Sequence, residues 1–338
     1  MISGKAEKFL GKYGCDKMDF WKDKNVLVTG ADGFIGSWLA KRLIDEKANV
    51  ITIIRDLKKD ANFKILGIKD QMTLVSGDIV EYEKVQRAIN QFSTDTCFHL
   101  AAQAIVPFAN HSPLSTFESN IKGTWNILEA CRNSKNIERI VVASSDKAYG
   151  SQQKLPYIED APLLGLYPYD ASKACADILS RMYYNTYGIP VAVTRNANTY
   201  GGGDMNFSRL IPDAIRCALK REKFVIRSDG TYKRDYMYVK DAVSGYLTLA
   251  ENLKRKDTRG EAFNFGTGQP VSVLELFENI SKLTGNRIKP KILNEAKNEI
   301  KDQYLSTEKV KRMFNWKPQY SLEQGLKETI EWYRNYLK

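Results

Sequence analysis

The sequence predicts an α/β protein, a doubly wound parallel sheet followed by a smaller C-terminal lobe. Three observations predict it. Apolar stretches of strand length alternate with helical spacing from Val26 to Val142. The first stretch, Asn25–Thr29, runs through Gly30-Ala31-Asp32-Gly33-Phe34-Ile35-Gly36 into a helix-spaced segment. Beyond residue 203 the texture changes, with shorter helical stretches and Pro212, Pro270, Pro290 and Pro318. The expected boundaries are an N-terminal extension at 1–20, a main domain at 21–203 plus about 236–268, and a lobe at 204–235 plus 269–338.

In chain order, the extension is polar and carries no readable chemistry. Strand, glycine loop and helix at 25–47 form the context in which a glycine fingerprint binds a dinucleotide. Gly30 allows the tight turn, Gly33 lets the backbone approach a pyrophosphate, and Gly36 lets the helix pack on the strand. Phe34 and Ile35 open that helix, whose N-terminus faces the phosphates. The second strand, Val50–Ile54, ends in Arg55-Asp56. Asp56 stands about twenty residues after the last glycine, where an acid binds the ribose hydroxyls of NAD. Arg55 and Lys58 equally suit the 2′-phosphate of NADP, so both cofactors stay open. Asp78 and Ile79 end the third strand; Asp78 suits either adenine binding or a helix cap. Leu100, Ala101, Ala102 and Gln103 follow the fourth strand, where small residues permit close passage of a cofactor. The fifth strand, Ile140–Ala143, delivers Ser144–Lys147 to the same edge. Ligands of such Rossmann-like sheets sit at the strands' carboxyl ends.

Helices are expected at Ser119–Asn133 and Tyr169–Tyr187. Trp125 and Leu128 on the first, with Ala171, Ala174 and Leu179 on the second, face either the core or a partner subunit in a two-fold homodimer. A glycine-rich loop follows at Asn198–Asp204. The stretches Thr231–Tyr238 and Ala262–Gly266 are expected to return to the main sheet. In the lobe, Arg209 and Arg234 suit phosphate binding or surface ion pairs.

Composition bounds the function. With 43% hydrophobic and 27% charged residues, the 338-residue chain is of ordinary globular type. No apolar run nears the roughly 20 residues that span a bilayer. Lys5, Lys8, Lys12 and Lys17 precede no apolar signal core, so a cytoplasmic protein without membrane partners is expected. The net charge of +11 is scattered in short clusters rather than a stripe, which argues against a nucleic-acid partner. Five cysteines, odd in number and without ligand spacing, read as reduced thiols. His99 and His111 are too far apart to found a metal site, and His99 reads as packed.

The chemistry concentrates between Ser144 and Lys173. Tyr169 and Lys173 stand one helical turn apart on one face. An ammonium beside a phenol is expected to lower the phenol's pKa, which suits a base for a sugar hydroxyl. Ser145, Asp146 and Lys147 are consecutive: a hydroxyl, a potential acid and a potential base.

The glycine loop, the Tyr169–Lys173 pair, NTYGGGD around Asn198 and KRDYMYVKD around Arg234 together resemble the extended short-chain dehydrogenase/reductases that act on nucleotide sugars. The Asp146-Lys147 pair, with AAQAIV, PLSTFESNIKGTWNILEACR and RLIPDAIR, is similar to the CDP-glucose 4,6-dehydratase branch. The generic form of KRDYMYVKD departs from that branch, and Arg55-Asp56-Leu57-Lys58 resembles the inverting NADP-using dehydratases. The resemblance implies a lyase that holds NAD or NADP tightly and converts an NDP-hexose to its 4-keto-6-deoxy form. It implies that Tyr169 takes the O4 proton, with Lys173 supporting the phenolate and Ser145 bonded to O4. Hydride passes from C4 to the nicotinamide and returns to C6. One of the pair Asp146 and Lys147 removes the C5 proton, and Asp146 protonates the departing 6-hydroxyl; a charged Lys147 stabilising the enolate is the other open role. Asn198, Arg209 and Arg234 are the implied substrate contacts. A nucleotide-sugar 4-epimerase shares everything except the need for Asp146 and Lys147. A dinucleotide-sensing regulator without turnover would not need Tyr169 and Lys173 together.

Overall fold

The computed structural model describes residues 20–286, 289–295 and 300–338. The expected extension, with Cys15, lies outside the described residues except for Phe20. Seven parallel strands form the central sheet. From one edge their order is Ala262–Phe265, Val191–Asn196, Arg139–Ser145, Thr96–His99, Asn25–Thr29, Asn49–Ile54 and Thr73–Ser76. The first strand's residues alternate between two apolar cores. Val26 and Val28 enter the core packed with Leu39 and Leu249, and Leu27 enters the one packed with Val85 and Ile127. Both faces are covered, so the strands read as continuous apolar runs. A third core, with Ile215, Phe224, Leu276, Leu326 and Ile330, fills the C-terminal lobe.

Gly30 and Gly36 have the turn and the close packing that the fingerprint's spacing predicts. Gly30 has φ +74°, and a Cβ there would stand 2.8 Å from the Ala101 nitrogen. A Cβ on Gly36 would stand 2.1 Å from the Gly30 carbonyl oxygen, so the helix Phe34–Asp45 can meet the strand this closely only through glycine.

One expectation is corrected and one open alternative is decided. Ala262–Phe265 does join the sheet, but Thr231–Tyr238 does not. The sheet edge beside Val191–Asn196 is already occupied by Ala262–Phe265. Lys233–Arg234 instead pairs with Val271–Ser272 and Asp302–Gln303, and Tyr236–Tyr238 pairs with Asn198–Tyr200. Buried Asp235 marks the change of partner, its carboxylate accepting from the Thr267 and Gly268 amides. For Leu128 and Ala174, open in sequence between core and partner subunit, the core side is found. Both are buried within the subunit, and Leu128 belongs to the core of its own sheet face.

A fully buried ion pair joins the sheet to the helix Pro168–Tyr187. Arg195 donates through Nε to Asp177 Oδ2 at 2.7 Å and through Nη2 to Oδ1 at 3.0 Å. Removing one partner strands the other charge in the core. Asp177→Ala is therefore expected to lose about 3–5 kcal/mol of stability, read as a lower urea midpoint at unchanged slope.

Candidate functional site

The sheet's carboxyl edge gathers the expected cofactor residues. The helix Phe34–Asp45 starts at Gly33, an extended N-cap with no side chain to accept from the first-turn amides. Those amides, the turn at Gly30 and the strand end at Leu100–Ala101 form a cradle fitted to a pyrophosphate. Thr29 Oγ1 accepts from the Leu100 and Ala101 amides at 3.1 Å each, which fixes that strand end. Gln103 is held by Asn120, which accepts from its amide and donates to its carbonyl. Asn120 also donates to Ser172 on the helix that carries Tyr169, linking both sides of the cleft.

At the second strand end Arg55 donates to Asp56 Oδ2 at 3.0 Å and lies 3.6 Å from Asp78 Oδ2. The bond from Asp56 raises the already high guanidinium pKa. A ribose 2′-phosphate would have to compete with these two carboxylates for Arg55, whereas ribose hydroxyls would not. Exposed Lys58 lies in the loop after Asp56. Asp78 caps no helix: Oδ1 accepts from the Val80 amide, and the next helix begins after Glu81. The Ile79 carbonyl accepts from Asn126.

The strand Arg139–Ser145 ends in a one-turn 3₁₀ segment, Asp146–Tyr149. Ser145 Oγ accepts from the Lys147 amide at 3.2 Å and donates to Asp146 Oδ1 at 3.1 Å. Asp146 is 2% exposed, and its Oδ2 is buried with no hydrogen-bond partner. Burial pushes its pKa up, against the lowering charge of Lys147 and the bond from Ser145. Lys147 Nζ donates to Gln303 Oε1 at 2.5 Å, and Gln303 Nε2 donates to the Asp146 carbonyl at 2.9 Å.

Tyr169 opens the facing helix behind Pro168, so the helix N-terminus points into the same space. The expected lowering of its pKa by Lys173 is corrected. Burial pushes the phenol up to about 12, outweighing the charge of Arg209 and the hydrogen bond with Ser145, while Asp146 and Asp170 add to the rise. Lys173 is turned to the backbone, Nζ donating to the Ala143 carbonyl at 2.8 Å, and burial draws its pKa down to about 8. His99 is packed as expected, with Nδ1 2.8 Å from Thr29 Oγ1 and Nε2 3.0 Å from Thr124 Oγ1.

Of the implied substrate contacts, Arg209 bonds Asp204 Oδ2 at 3.1 Å and also acts on Tyr169. Arg234 donates to the carbonyls of Lys233, Ile300 and Lys301, and its charge reaches Asp146. Asn198 Nδ2 is buried without a partner. Three further residues enter that sequence reasoning missed. Asn196, in register with Ser145, has both amide atoms buried and unpartnered. Asp170 is a second buried carboxyl, acted on by Lys147 and Asp146. Gln303 arrives from 156 residues away. Only Asp170 left a trace in the sequence, as a charge inside the Tyr169–Lys173 motif. Among the described residues no group of His, Cys, Asp and Glu is placed to hold a metal ion, and no helix is long and apolar enough to cross a membrane.

The model of the family described as GDP-mannose 4,6 dehydratase matches residues 27–329. CDP-glucose 4,6-dehydratase of Salmonella typhimurium is 29% identical over 340 residues, 95% of this chain and 93% of that protein. The UDP-glucose 4-epimerase of Thermotoga maritima, solved with UDP-glucose, superposes with a TM-score of 0.85 at 30% identity, covering 93% of this chain and all of that one. The dTDP-glucose 4,6-dehydratase of Bacillus anthracis, solved with NAD, superposes at 0.81 and 31% identity, covering 92% and 97%.

Asp170 gives the site a pH signature in stability. Burial raises its pKa from 3.8 to about 6, so the folded state holds a proton that the unfolded chain has released. Its protonation favours folding at low pH, and that contribution fades as pH rises through the window from about 4 to 6. Asp170→Asn is expected to flatten this part of the dependence, read as urea midpoints of parent and variant across the window.

Proposed function

The chain belongs to the family of the GDP-mannose 4,6 dehydratase model, within the nucleotide-sugar branch of the extended short-chain dehydrogenase/reductases, and from that premise we propose that it is an NDP-hexose 4,6-dehydratase. The observation that carries the reading is the turn at Asp146 and Lys147, which sets a carboxyl raised by burial beside Ser145 and Tyr169, with the lysine's charge acting on that carboxyl. An epimerase has no use for that pair. The family's NAD(P) cofactor, when bound, accepts a hydride from the sugar and gives it back, so it ends each turnover as it began.

The chain's own residues supply the protons. Ser145 binds O4 of the sugar and Tyr169, as phenolate, takes the O4 proton. Lys173 and Arg209 supply positive charge on that side of the site. The 4-ketone acidifies C5, and Lys147 as the free amine takes the C5 proton. Asp146, whose protonated form burial favours, gives its proton to the 6-hydroxyl, which leaves as water. Lys147 then returns a proton to C5. The proton gained by Tyr169 balances the one lost by Asp146, and the net change is loss of one water.

In this reading residues 21–203 with about 236–268 hold the dinucleotide, and 204–235 with 269–338 hold the nucleotide sugar through Arg209 and Arg234, with Asn198 contributed from the first segment. The third core supports a separate lobe, but it also takes in Tyr200, Tyr236, Tyr238 and Val239, while Leu305, Val310 and Trp316 pack into the main sheet's core. The likeness to CDP-glucose 4,6-dehydratase makes CDP-glucose the first substrate to test. The alternative, a 4-epimerase, is favoured by the likeness to the Thermotoga maritima enzyme.

Incubation with a panel of NDP-glucoses separates the two. A dehydratase yields a 4-keto-6-deoxy product that absorbs in alkali; an epimer does not, and a panel giving only epimers overturns the reading. Lys147→Ala and Asp146→Asn are expected to slow dehydration at least about a hundredfold while leaving C4 oxidation, seen as transient nicotinamide absorbance, largely intact.

The subunit is proposed to pair two-fold through the helices near 119–133 and 169–187. Their outer faces expose Trp125, Ile178 and Met182 in place of the expected Leu128 and Ala174. Such apolar exposure suits an interface. Light scattering is expected to give a dimer for the parent and a monomer for Trp125→Glu; a parent monomer at micromolar concentration refutes the pairing.

A further inference from the structure

The turn that carries Asp146 and Lys147 is held by a side chain from the other lobe. Gln303 is fully buried and lies on the short strand Asp302–Gln303, paired in parallel with Lys233–Arg234. Its two amide atoms serve the same turn. Nε2 donates to the Asp146 carbonyl at 2.9 Å, and Oε1 accepts from Lys147 Nζ at 2.5 Å. We propose that Gln303 is a positioning residue for Lys147, an uncharged acceptor that aims the amine while leaving it free to lose its proton. The proposal rests on the reading of Lys147 as the C5 base.

The argument concerns charge as much as geometry. An amide oxygen accepts from an ammonium and from a neutral amine alike, whereas a carboxylate in its place would favour the ammonium. The surroundings already contain enough acid. Asp146 on the same turn and Asp170 on the helix Pro168–Tyr187 both act on Lys147. Arg234, Asp235 and Tyr157 also lie within electrostatic reach of Asp146, and Tyr169 faces the same carboxyl. Burial biases Asp146 toward its neutral form, which weakens its hold on the ammonium. A third carboxyl at position 303 would restore that hold at hydrogen-bond distance. The Nε2 donor meanwhile prevents the buried Asp146 carbonyl from being left without a partner, so the turn keeps its shape as the lysine changes protonation.

Gln303→Glu tests this in the full-length enzyme, with the NDP-glucose that the parent dehydrates. The acid limb of the dehydration pH profile is expected to move up by about one unit, because the added carboxylate raises the lysine pKa. At neutral pH dehydration is expected to fall roughly tenfold, with C4 oxidation and KM held within about twofold. A merely structural role would lower both steps and leave the limb in place, so an unmoved limb overturns the proposal. If the glutamate variant does not fold, Gln303→Asn takes its place, since the shorter neutral amide withdraws the acceptor without adding charge. It is then expected to slow dehydration at least about tenfold with C4 oxidation kept, and equal loss of both steps overturns the proposal. A parent that yields no 4-keto-6-deoxy product removes the premise and the proposal with it. A parent that yields it while both variants behave as the parent removes the proposal alone.

Discussion

The buried pair of Arg195 and Asp177 sets the phase of the helix on which the site depends. Asp177 stands four residues after Lys173 and eight after Tyr169, on one side of the helix Pro168–Tyr187. Bidentate bonding to a guanidinium on the strand Val191–Asn196, next to the sheet's edge, leaves that helix little freedom to roll or slide. The same guanidinium donates through Nη1 to Tyr149 Oη and to the Glu159 carbonyl, each at 2.8 Å. Tyr149 ends the turn that begins at Asp146, and its hydroxyl donates to Asn264 on the edge strand at 2.7 Å. One arginine thus references both halves of the site, the Tyr169 helix and the Asp146 turn, to one strand. Ion pairs this deep give little net stability over apolar packing, but they tolerate no alternative partner. The pair is better understood as fixing register than as adding strength.

Burial gives the site its second property, which is a bias toward neutral groups. Asp146, Asp170 and Tyr169 are all driven up and Lys173 is driven down, and in each case desolvation is the largest cause. Charges in the neighbourhood oppose the trend only in part. Such a site can lend and receive protons with little reorganisation, as proton shuttling at one sugar requires. The groups share one low-dielectric space, so they titrate as a set rather than singly.

The sheet was legible because its strands are apolar on both faces and each is followed by helical spacing. The glycine fingerprint was legible because its contacts are local: Gly36 meets Gly30, six residues away. Tyr169 and Lys173 were legible for the same reason. The failures share a different character. Lys233–Arg234, Tyr236–Tyr238 and Asp302–Gln303 are strands of two or three residues, too short to show a period, and their partners are distant. The effect of Lys173 on Tyr169 was misjudged because spacing gives proximity along a helix but not depth of burial, and burial decides the sign here. Leu128 and Ala174 were open to either side of their helices, and only the packed sheet shows which side faces inward.

The short strands matter most where they cross between lobes. Arg234 and Gln303 are register partners. Arg234 is tied to the carbonyls of residues 300 and 301, while Gln303 is tied to the Asp146 turn. The segment that carries a candidate phosphate-binding arginine is therefore hydrogen-bonded, through one neighbouring strand, to the lysine of the Asp146 turn. A displacement of Arg234 along its strand would be felt at Lys147 through one backbone ladder and one buried amide. In the proposed dehydration, which must hold an oxidised sugar still while a second bond is broken, that linkage would place the grip on the substrate and the aim of the amine under one constraint.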